Sequence, residues 1–207
     1  EYSDEKWDIK IGRQRINWGI NNIWNPNDIF NAYNFLDFDY EERPGNDAIR
    51  IQHHFKNNAT LDMAYKPGKH SNDHTGALLY KFNRWNYDFQ FLGGIYSTDY
   101  VLGGGWAGNL KNTGFKGEMS YFIPKKNTLE TSAAFNFSIM ADQTFKNDWY
   151  ISIAGLYNSN PTNTFNANGN FYNSNLSARN LFPFRYNFYA TLMKTISPIA
   201  SCNLSFI

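Results

Sequence analysis

Apolar and polar residues alternate along most of the chain, and this alternation is the feature that most limits its fold. Ile9 and Ile11, for example, interleave with Asp8 and Lys10. Successive side chains of a strand point to opposite faces, so a period of two predicts strands with one apolar and one polar face. Helical periodicity is almost absent. The predicted strands are 7–16, 47–56, 59–66, 76–84, 87–96, 100–108, 114–123, 128–140, 148–157, 184–195 and 199–207.

The length of these segments indicates a membrane-spanning sheet. Many are longer than the five or six residues usual in globular strands, and a tilted strand crosses a bilayer in about 9–11 residues. Short polar links alternate with long ones, as in outer-membrane barrels, with one exception near 97–99. Eleven strands are counted, whereas bacterial single-chain barrels use even numbers. The sequence therefore predicts a miscounted strand or further strands outside these 207 residues.

Aromatic residues near the strand ends support the same interpretation. Trp and Tyr rings suit a headgroup boundary because they combine an apolar body with a polar tip. They recur at Trp7, Tyr65, Trp85, Tyr87, Tyr96, Trp106, Tyr121, Trp149 and Tyr157. Charged residues stand in mid-strand on the opposite faces, at Lys10, Arg50, Asp62, Lys81, Glu118, Glu130 and Arg185. A wet lumen accommodates such charges, and so does the solvated face of a soluble sandwich.

The predicted fold is therefore all-β: a single domain, 1–207, forming an antiparallel transmembrane β-barrel with 10–12 visible strands. A soluble β-sandwich is the alternative fold. The charge is nearly balanced, with 19 Lys and Arg against 18 Asp and Glu, which argues against nucleic acid as a partner. The single cysteine excludes an intramolecular disulfide and a multi-cysteine zinc site.

The most distinctive stretch lies at the end of the first long predicted strand. It reads Gly12-Arg13-Gln14-Arg15-Ile16-Asn17-Trp18-Gly19, followed by Trp24-Asn25-Pro26-Asn27-Asp28. The pattern G-R-Q-x-x-x-W-G, then N-P-x-D, resembles porin-like outer-membrane proteins of Gram-negative bacteria. The phrase Asn31-Ala32-Tyr33-Asn34-Phe35 and the abundance of Asn and Tyr look like members from the Bacteroidota. The specific match covers 8–52, and the rest of the chain agrees in style.

This resemblance implies an outer-membrane β-barrel and transport of a solute. The predicted function is a porin-like channel for passive or facilitated passage of small hydrophilic solutes, with outer-membrane lipid as its surroundings. One alternative is a structural or partner-binding barrel with a blocked lumen, serving other outer-membrane or surface proteins. A second alternative is a soluble carbohydrate-binding sandwich that uses exposed aromatic side chains.

The long link 17–46 is the candidate functional segment. Its motif residues are Trp18, Gly19, Asn25, Pro26 and Asp28, of which 25–28 form a predicted turn. We expect the link to fold over or into the lumen as a constriction or lid. The candidate constriction residues are the acids Asp28, Asp37, Asp39, Glu41 and Glu42 and the bases Arg13, Arg15 and Arg50. Opposed charges across a pore select solutes; alternatively, the arginines pair with the acids and hold the loop in place.

Motifs of catalysis are not found, so the sequence predicts neither an enzyme nor a cofactor. His53 and His54 are adjacent and would face opposite sides of a strand, and His70 and His74 lie in a polar loop. The run Gly103-Gly104-Gly105 does not link a strand to a helix, so it is not a phosphate loop. The sequence also lacks G-x-S-x-G and H-E-x-x-H. No metal ligand is therefore assigned.

Overall fold

The computed structural model describes residues 1–31, 45–70, 73–126, 132–161 and 177–207. In these ranges the chain forms twelve strands and no α-helix. The strands are β1 (Tyr2–Ser3), β2 (Trp7–Gln14), β3 (Asn46–His54), β4 (Thr60–Lys66), β5 (Thr75–Arg84), β6 (Tyr87–Tyr96), β7 (Asp99–Leu110), β8 (Thr113–Pro124), β9 (Ala134–Thr144), β10 (Trp149–Asn158), β11 (Tyr186–Ser197) and β12 (Ala200–Phe206). Helices long and apolar enough to cross a membrane do not occur among the described residues.

All twelve strands belong to one antiparallel sheet, in which each strand pairs with its neighbours in sequence. The all-β antiparallel prediction is confirmed. Closure into a barrel is not seen, because β1 pairs with β2 alone and β12 pairs with β11 alone. The edge at β1 is short, since only Tyr2 and Ser3 join the ladder there.

The observed strand bounds agree with the predicted ones within a few residues, with two differences. The two-residue β1 is too short to show alternation and was not predicted. β9 ends at Thr144 instead of 140, because Ala141–Thr144 pair with Tyr150–Ile153 of β10. The predicted beginning of this strand, at 128, lies outside the described residues.

The connections at one end of the sheet are all short, whereas those at the other end are longer, with one exception at 97–98. One end, here the short-turn end, carries the links 4–6, 55–59, 85–86, 111–112, 145–148 and 198–199. The other, here the long-link end, carries 15–45, 67–74, 97–98, 125–133 and 159–185. The sequence exception near 97–99 is thus a two-residue turn at the long-link end. This division into short and long connections is the one found in outer-membrane barrels.

The two faces of the sheet differ sharply in polarity. One face, here the covered face, bears Asp62, Gln90 and Glu118, each at most 3% exposed. The opposite face, here the apolar face, bears side chains that are 38–74% exposed, among them Ile11, Leu78, Phe91, Leu102, Met119, Ile153 and Phe188. The sheet therefore buries several polar side chains on one face and leaves large apolar side chains exposed on the other.

Candidate functional site

Residues 16–30 pack onto the covered face and are here called the covering segment. Its apolar side chains Ile16, Trp18, Ile29 and Phe30 are at most 4% exposed. They form one cluster with sheet residues such as Ala48, Leu79, Val101 and Phe122. The Trp18 and Phe30 rings meet edge to face, with centroids 4.9 Å apart. The long-link end of the covered face is therefore a small hydrophobic core beneath a chain segment.

Glu118, in the middle of β8, is the main polar anchor of the covering segment. It is fully buried. Its Oε1 accepts hydrogen bonds from the backbone N–H groups of Ile20 and Asn21, the latter at 2.8 Å. Its Oε2 accepts the N–H of Asn27 at 3.0 Å. One carboxyl group thus satisfies three backbone donors, two of them buried and one partly buried, whose loss of partners would be costly.

Asn27 fixes the same turn to one further strand, β7, and again to β8. Its Nδ2 donates to the backbone carbonyl of Gly104 at 2.9 Å. The Ser120 hydroxyl lies 2.6 Å from the carbonyl oxygen of Pro26 and 2.9 Å from Oδ1 of Asn27. The predicted turn at 25–28 is present, since the Asp28 N–H donates to the Asn25 carbonyl at 3.1 Å. Its contacts place it against β7 and β8.

The glycine run in β7 makes room for this turn. A Cβ on Gly103 would lie 2.5 Å from Asn27 Oδ1, and a Cβ on Gly105 would lie 2.8 Å from Ile20 Cδ1. Both distances are shorter than side-chain contacts allow. Glycine here serves the close approach of the covering segment. The sequence had excluded a phosphate loop and favoured glycines that relieve crowding where a strand bends.

Gly103→Ala is expected to destabilise the protein by about 1–3 kcal/mol, because the added methyl group displaces the buried Asn27 side chain. Urea titration, followed by tryptophan fluorescence, measures the loss. Gly155→Ala is the matched control, since its Cβ would meet its nearest neighbour, Ile139 Cγ2, at an ordinary 3.8 Å. Equal stability of the two variants would show that the covering segment does not require a glycine at 103.

Asp62, on β4, is a second anchor and lies at the centre of a buried network. Its Oδ2 accepts the Trp18 indole N–H at 3.0 Å. Arg50 binds the same carboxylate through two nitrogens, with Nη2 2.5 Å from Oδ2 and Nε 3.0 Å from Oδ1. Gln90 Nε2 donates to the Trp18 carbonyl at 2.9 Å. The ion pair of Arg50 and Asp62 therefore holds the Trp18 indole, while Gln90 holds the Trp18 backbone.

A second covering segment, residues 177–184, lies over β9 and β10. Asn136 Nδ2 donates to the Ala178 carbonyl at 3.0 Å, and Asn158 Nδ2 donates to the Phe182 carbonyl at 2.9 Å. Arg179 forms an ion pair with Asp99, which is 3% exposed. Trp24 meets Phe182 edge to face at 5.9 Å, so the two covering segments are in contact.

Beneath the covering segment, toward the short-turn end, the covered face borders a cavity of about 560 Å³. Ile20 of the covering segment forms one wall, and Thr60, Lys81 and Gln90 contribute polar groups. Lys81 is an exposed cation in mid-sheet. This end of the covered face is therefore polar and open, in contrast to the packed long-link end.

The structure separates the predicted constriction residues. Arg50 and Asp28 lie on the covered side, where Arg50 binds Asp62 and Asp28 is 2% exposed. Arg13 lies on the apolar face opposite Asp47, with Nε 2.7 Å from Oδ1, and both side chains are exposed. Arg15 is exposed. The remaining predicted acids, Asp37, Asp39, Glu41 and Glu42, lie outside the described residues.

The loop-motif residues do come together. Trp18, Asn25, Pro26 and Asp28 are buried. Gly19 packs against the Asn25 side chain so closely that a Cβ there would lie 2.4 Å from it. The motif is therefore a packing and turn motif of the covering segment.

The residues that sequence reasoning missed are the anchors: Glu118, Ser120, Asn136 and Asn158. The available signal was their position in mid-strand on the polar face. Glu118 and Asp62 were noted there as charged residues, but not as hydrogen-bond acceptors for a covering segment. Alternation does not show which backbone groups such side chains bind. No group of three His, Cys, Asp or Glu side chains suited to a metal ion occurs within the part of the chain that the structure describes.

Comparisons of the chain with protein-family models, with curated proteins and with solved structures found no match.

Proposed function

We propose that the chain forms a transmembrane β-barrel of the bacterial outer membrane and acts as a porin-like channel for small hydrophilic solutes. The inverted polarity of the sheet carries this proposal. A soluble protein covers its apolar side chains and leaves polar ones in water. Here Leu102 and Ile153 are 57% and 45% exposed, whereas Glu118 is fully buried. Lipid is the solvent that suits such an exposed face.

Aromatic rings border the apolar face at both ends. At the long-link end the rings of Tyr121, Phe135, Tyr157 and Tyr186 follow one another, with successive centroids 6.5, 6.2 and 5.4 Å apart. At the short-turn end the apolar face carries tryptophan, at Trp7, Trp106 and Trp149. Tyr96, which the sequence included among the boundary rings, packs instead against the covered-face core. Two aromatic borders are the arrangement expected of a barrel in a bilayer.

The covered face would then line the lumen, with the covering segments narrowing it. Most charged residues of the central strands, including Arg50, Asp62, Lys81, Asp88 and Glu118, alternate onto this face. Passage would be limited by size at the covering segment and by charge near Lys81. In the complete barrel the edges at β1 and β12 must be paired, because lipid cannot satisfy their backbone groups.

Conductance in planar bilayers tests the channel. The full protein is expected to show stable open steps, and Lys81→Gln is expected to shift the reversal potential in a salt gradient toward cation selectivity. Arg13→Gln removes the same charge from the apolar face and serves as the matched control, with no expected shift. A shift for Arg13→Gln alone would contradict the assignment of the two faces.

A barrel with a blocked lumen, serving other outer-membrane or surface proteins, is the second candidate function. The buried hydrogen bonds that fix both covering segments favour it, because such segments do not move aside easily. Silence of the full protein in the bilayer, with correct insertion, would select this function over the channel. A carbohydrate-binding sandwich needs two packed sheets, whereas the described residues form one.

A further inference from the structure

Four hairpin turns at the short-turn end repeat one arrangement, in which a cation stands next to an exposed apolar side chain. The pairs are Phe55–Lys56, Arg84–Trp85, Leu110–Lys111 and Phe145–Lys146. The apolar members are between 40% and 76% exposed, and all four cations are exposed. Because the turns join successive hairpins, the four pairs follow one rim of the sheet. These eight residues are here called the basic rim.

Trp85 occupies a backbone conformation that does not favour tryptophan. Its φ is 54°, and Asn86 follows at 61°, which is the left-handed geometry of a two-residue hairpin turn. Asn or Gly fits that position without strain, whereas a bulky side chain rarely adopts it. Packing does not explain the choice, since Trp85 is 76% exposed. The exposed Trp85 side chain is therefore suited to contact a molecule other than the described part of this chain.

Cations also lie over rings at this end. The Arg84 guanidinium is 4.6 Å from the Trp85 ring centroid, and Lys194 Nζ is 5.3 Å from that of Trp149. A ring with a cation beside it matches the boundary of a bilayer, where the ring enters the acyl region and the cation remains among the headgroups.

Acidic groups at this end only partly neutralise the rim. Asp4 is engaged by the backbone N–H groups of Lys6 and Trp7, each at 2.7 Å. Asp88 lies on the covered face and binds Asn83 Nδ2 at 2.8 Å. Asp148 lies in the β9–β10 turn beside Lys146. The turns and the residue beside them thus carry five positive charges, on Lys6, Lys56, Arg84, Lys111 and Lys146, against three negative ones, on Asp4, Glu5 and Asp148. The remaining net charge is positive, which is complementary to phosphate.

We propose that the basic rim binds the phosphate groups of anionic phospholipid headgroups, with its apolar members inserted among the acyl chains. This inference rests on the membrane location in the proposed function and does not depend on conduction. The shared chemistry is a phosphate oxyanion bound by Lys and Arg. The exposed apolar neighbours favour a lipid headgroup over free phosphate, because free phosphate offers them no contact.

Thermal unfolding of the full protein in lipid nanodiscs tests the proposal. Adding phosphatidylglycerol to phosphatidylcholine discs is expected to raise the melting temperature of the wild type by about 5–10 °C. The variant with Lys56→Gln, Arg84→Gln, Lys111→Gln and Lys146→Gln is expected to lose most of this rise and to melt like the wild type in phosphatidylcholine alone. An equal rise in both proteins would overturn the proposal.

Two further variants keep the test independent of a folding defect. Lys56→Arg with Lys111→Arg and Lys146→Arg retains the charge and should retain the rise, and its loss would overturn the proposal. Lys66→Gln with Lys69→Gln, Lys125→Gln and Lys126→Gln removes four cations from the long-link end. This control should also retain the rise, and an equal loss would show that the rim has no special role.

Inorganic phosphate, added to phosphatidylcholine discs, distinguishes the source of the phosphate. It is expected to leave the melting temperature unchanged, and a rise equal to that with phosphatidylglycerol would overturn the assignment to lipid. A protein that conducts but shows no lipid effect would contradict this inference alone. A protein that does not enter nanodiscs of either composition would contradict both this inference and the proposed function.

Discussion

Replacing Glu118 with alanine is expected to destabilise the protein by about 3–5 kcal/mol and to release the covering segment from the sheet. The variant leaves the N–H groups of Ile20, Asn21 and Asn27 without the carboxyl oxygens that accept their hydrogen bonds. Buried donors without acceptors each cost about 1–3 kcal/mol. Urea titration in detergent measures the loss, and faster proteolysis within residues 16–30 reports the release.

Glu118→Gln separates the loss of an acceptor from the loss of volume. The amide keeps one oxygen for the pair Ile20 and Asn21 and presents an NH₂ group to the Asn27 N–H, so we expect an intermediate loss of about 1–3 kcal/mol. Asp47→Asn is the control, because it removes an exposed carboxylate whose ion pair with Arg13 contributes about 0–1 kcal/mol. A Glu118→Ala variant as stable as Asp47→Asn would contradict the anchor role.

Introducing arginine at Ile153 is expected to reduce the stability of the protein in phospholipid bilayers by about 2–4 kcal/mol. Ile153 lies in the middle of β10 on the apolar face and is 45% exposed. A cation at that depth must leave water or deform the bilayer. If the apolar face instead met water, the same change would be nearly neutral, as exposed surface substitutions usually are. Equilibrium folding into phosphatidylcholine vesicles measures the difference.

Thr191→Arg is the matched control for this variant. Thr191 pairs with Ser152, the neighbour of Ile153 in β10, and alternates onto the covered face, where it is partly exposed. Its new charge would face water in the proposed lumen, so we expect a loss of at most about 1 kcal/mol. A larger loss for Thr191→Arg than for Ile153→Arg would reverse the assignment of the two faces and contradict the proposed membrane location.

The strands were predictable because each is encoded locally. β6 was predicted at 87–96 and is observed at Tyr87–Tyr96, since apolar and polar residues alternate from Tyr87 to Phe91 and a tight turn with Asn86 precedes them. Antiparallel pairing of neighbours follows from such short connections. The predicted end of β9, at 140, was too early. Ala141–Thr144 are extended because they pair with β10, and such pairing cannot be recognised from local alternation.

The candidate site was predictable only in part. The motif Trp18, Gly19, Asn25, Pro26 and Asp28 marked the segment that packs on the covered face. The arginines expected to face this segment do not all do so. Arg13, for example, binds Asp47 on the apolar face. The period of the strand already places Arg13 on the face of Ile9 and Ile11, whereas the register of β2 with β3 decides that Asp47 is its partner.

The amino-acid sequence by itself determined which residues share a face, because the period of a strand requires no information from distant parts of the chain. It therefore determined that one face is apolar and the other polar. Only the tertiary structure decided what covers the polar face: Glu118 and Asn21 are 97 residues apart, and Trp18 and Asp62 are 44 apart. Such contacts arise because buried backbone donors and acceptors must find partners wherever the folded chain brings them together.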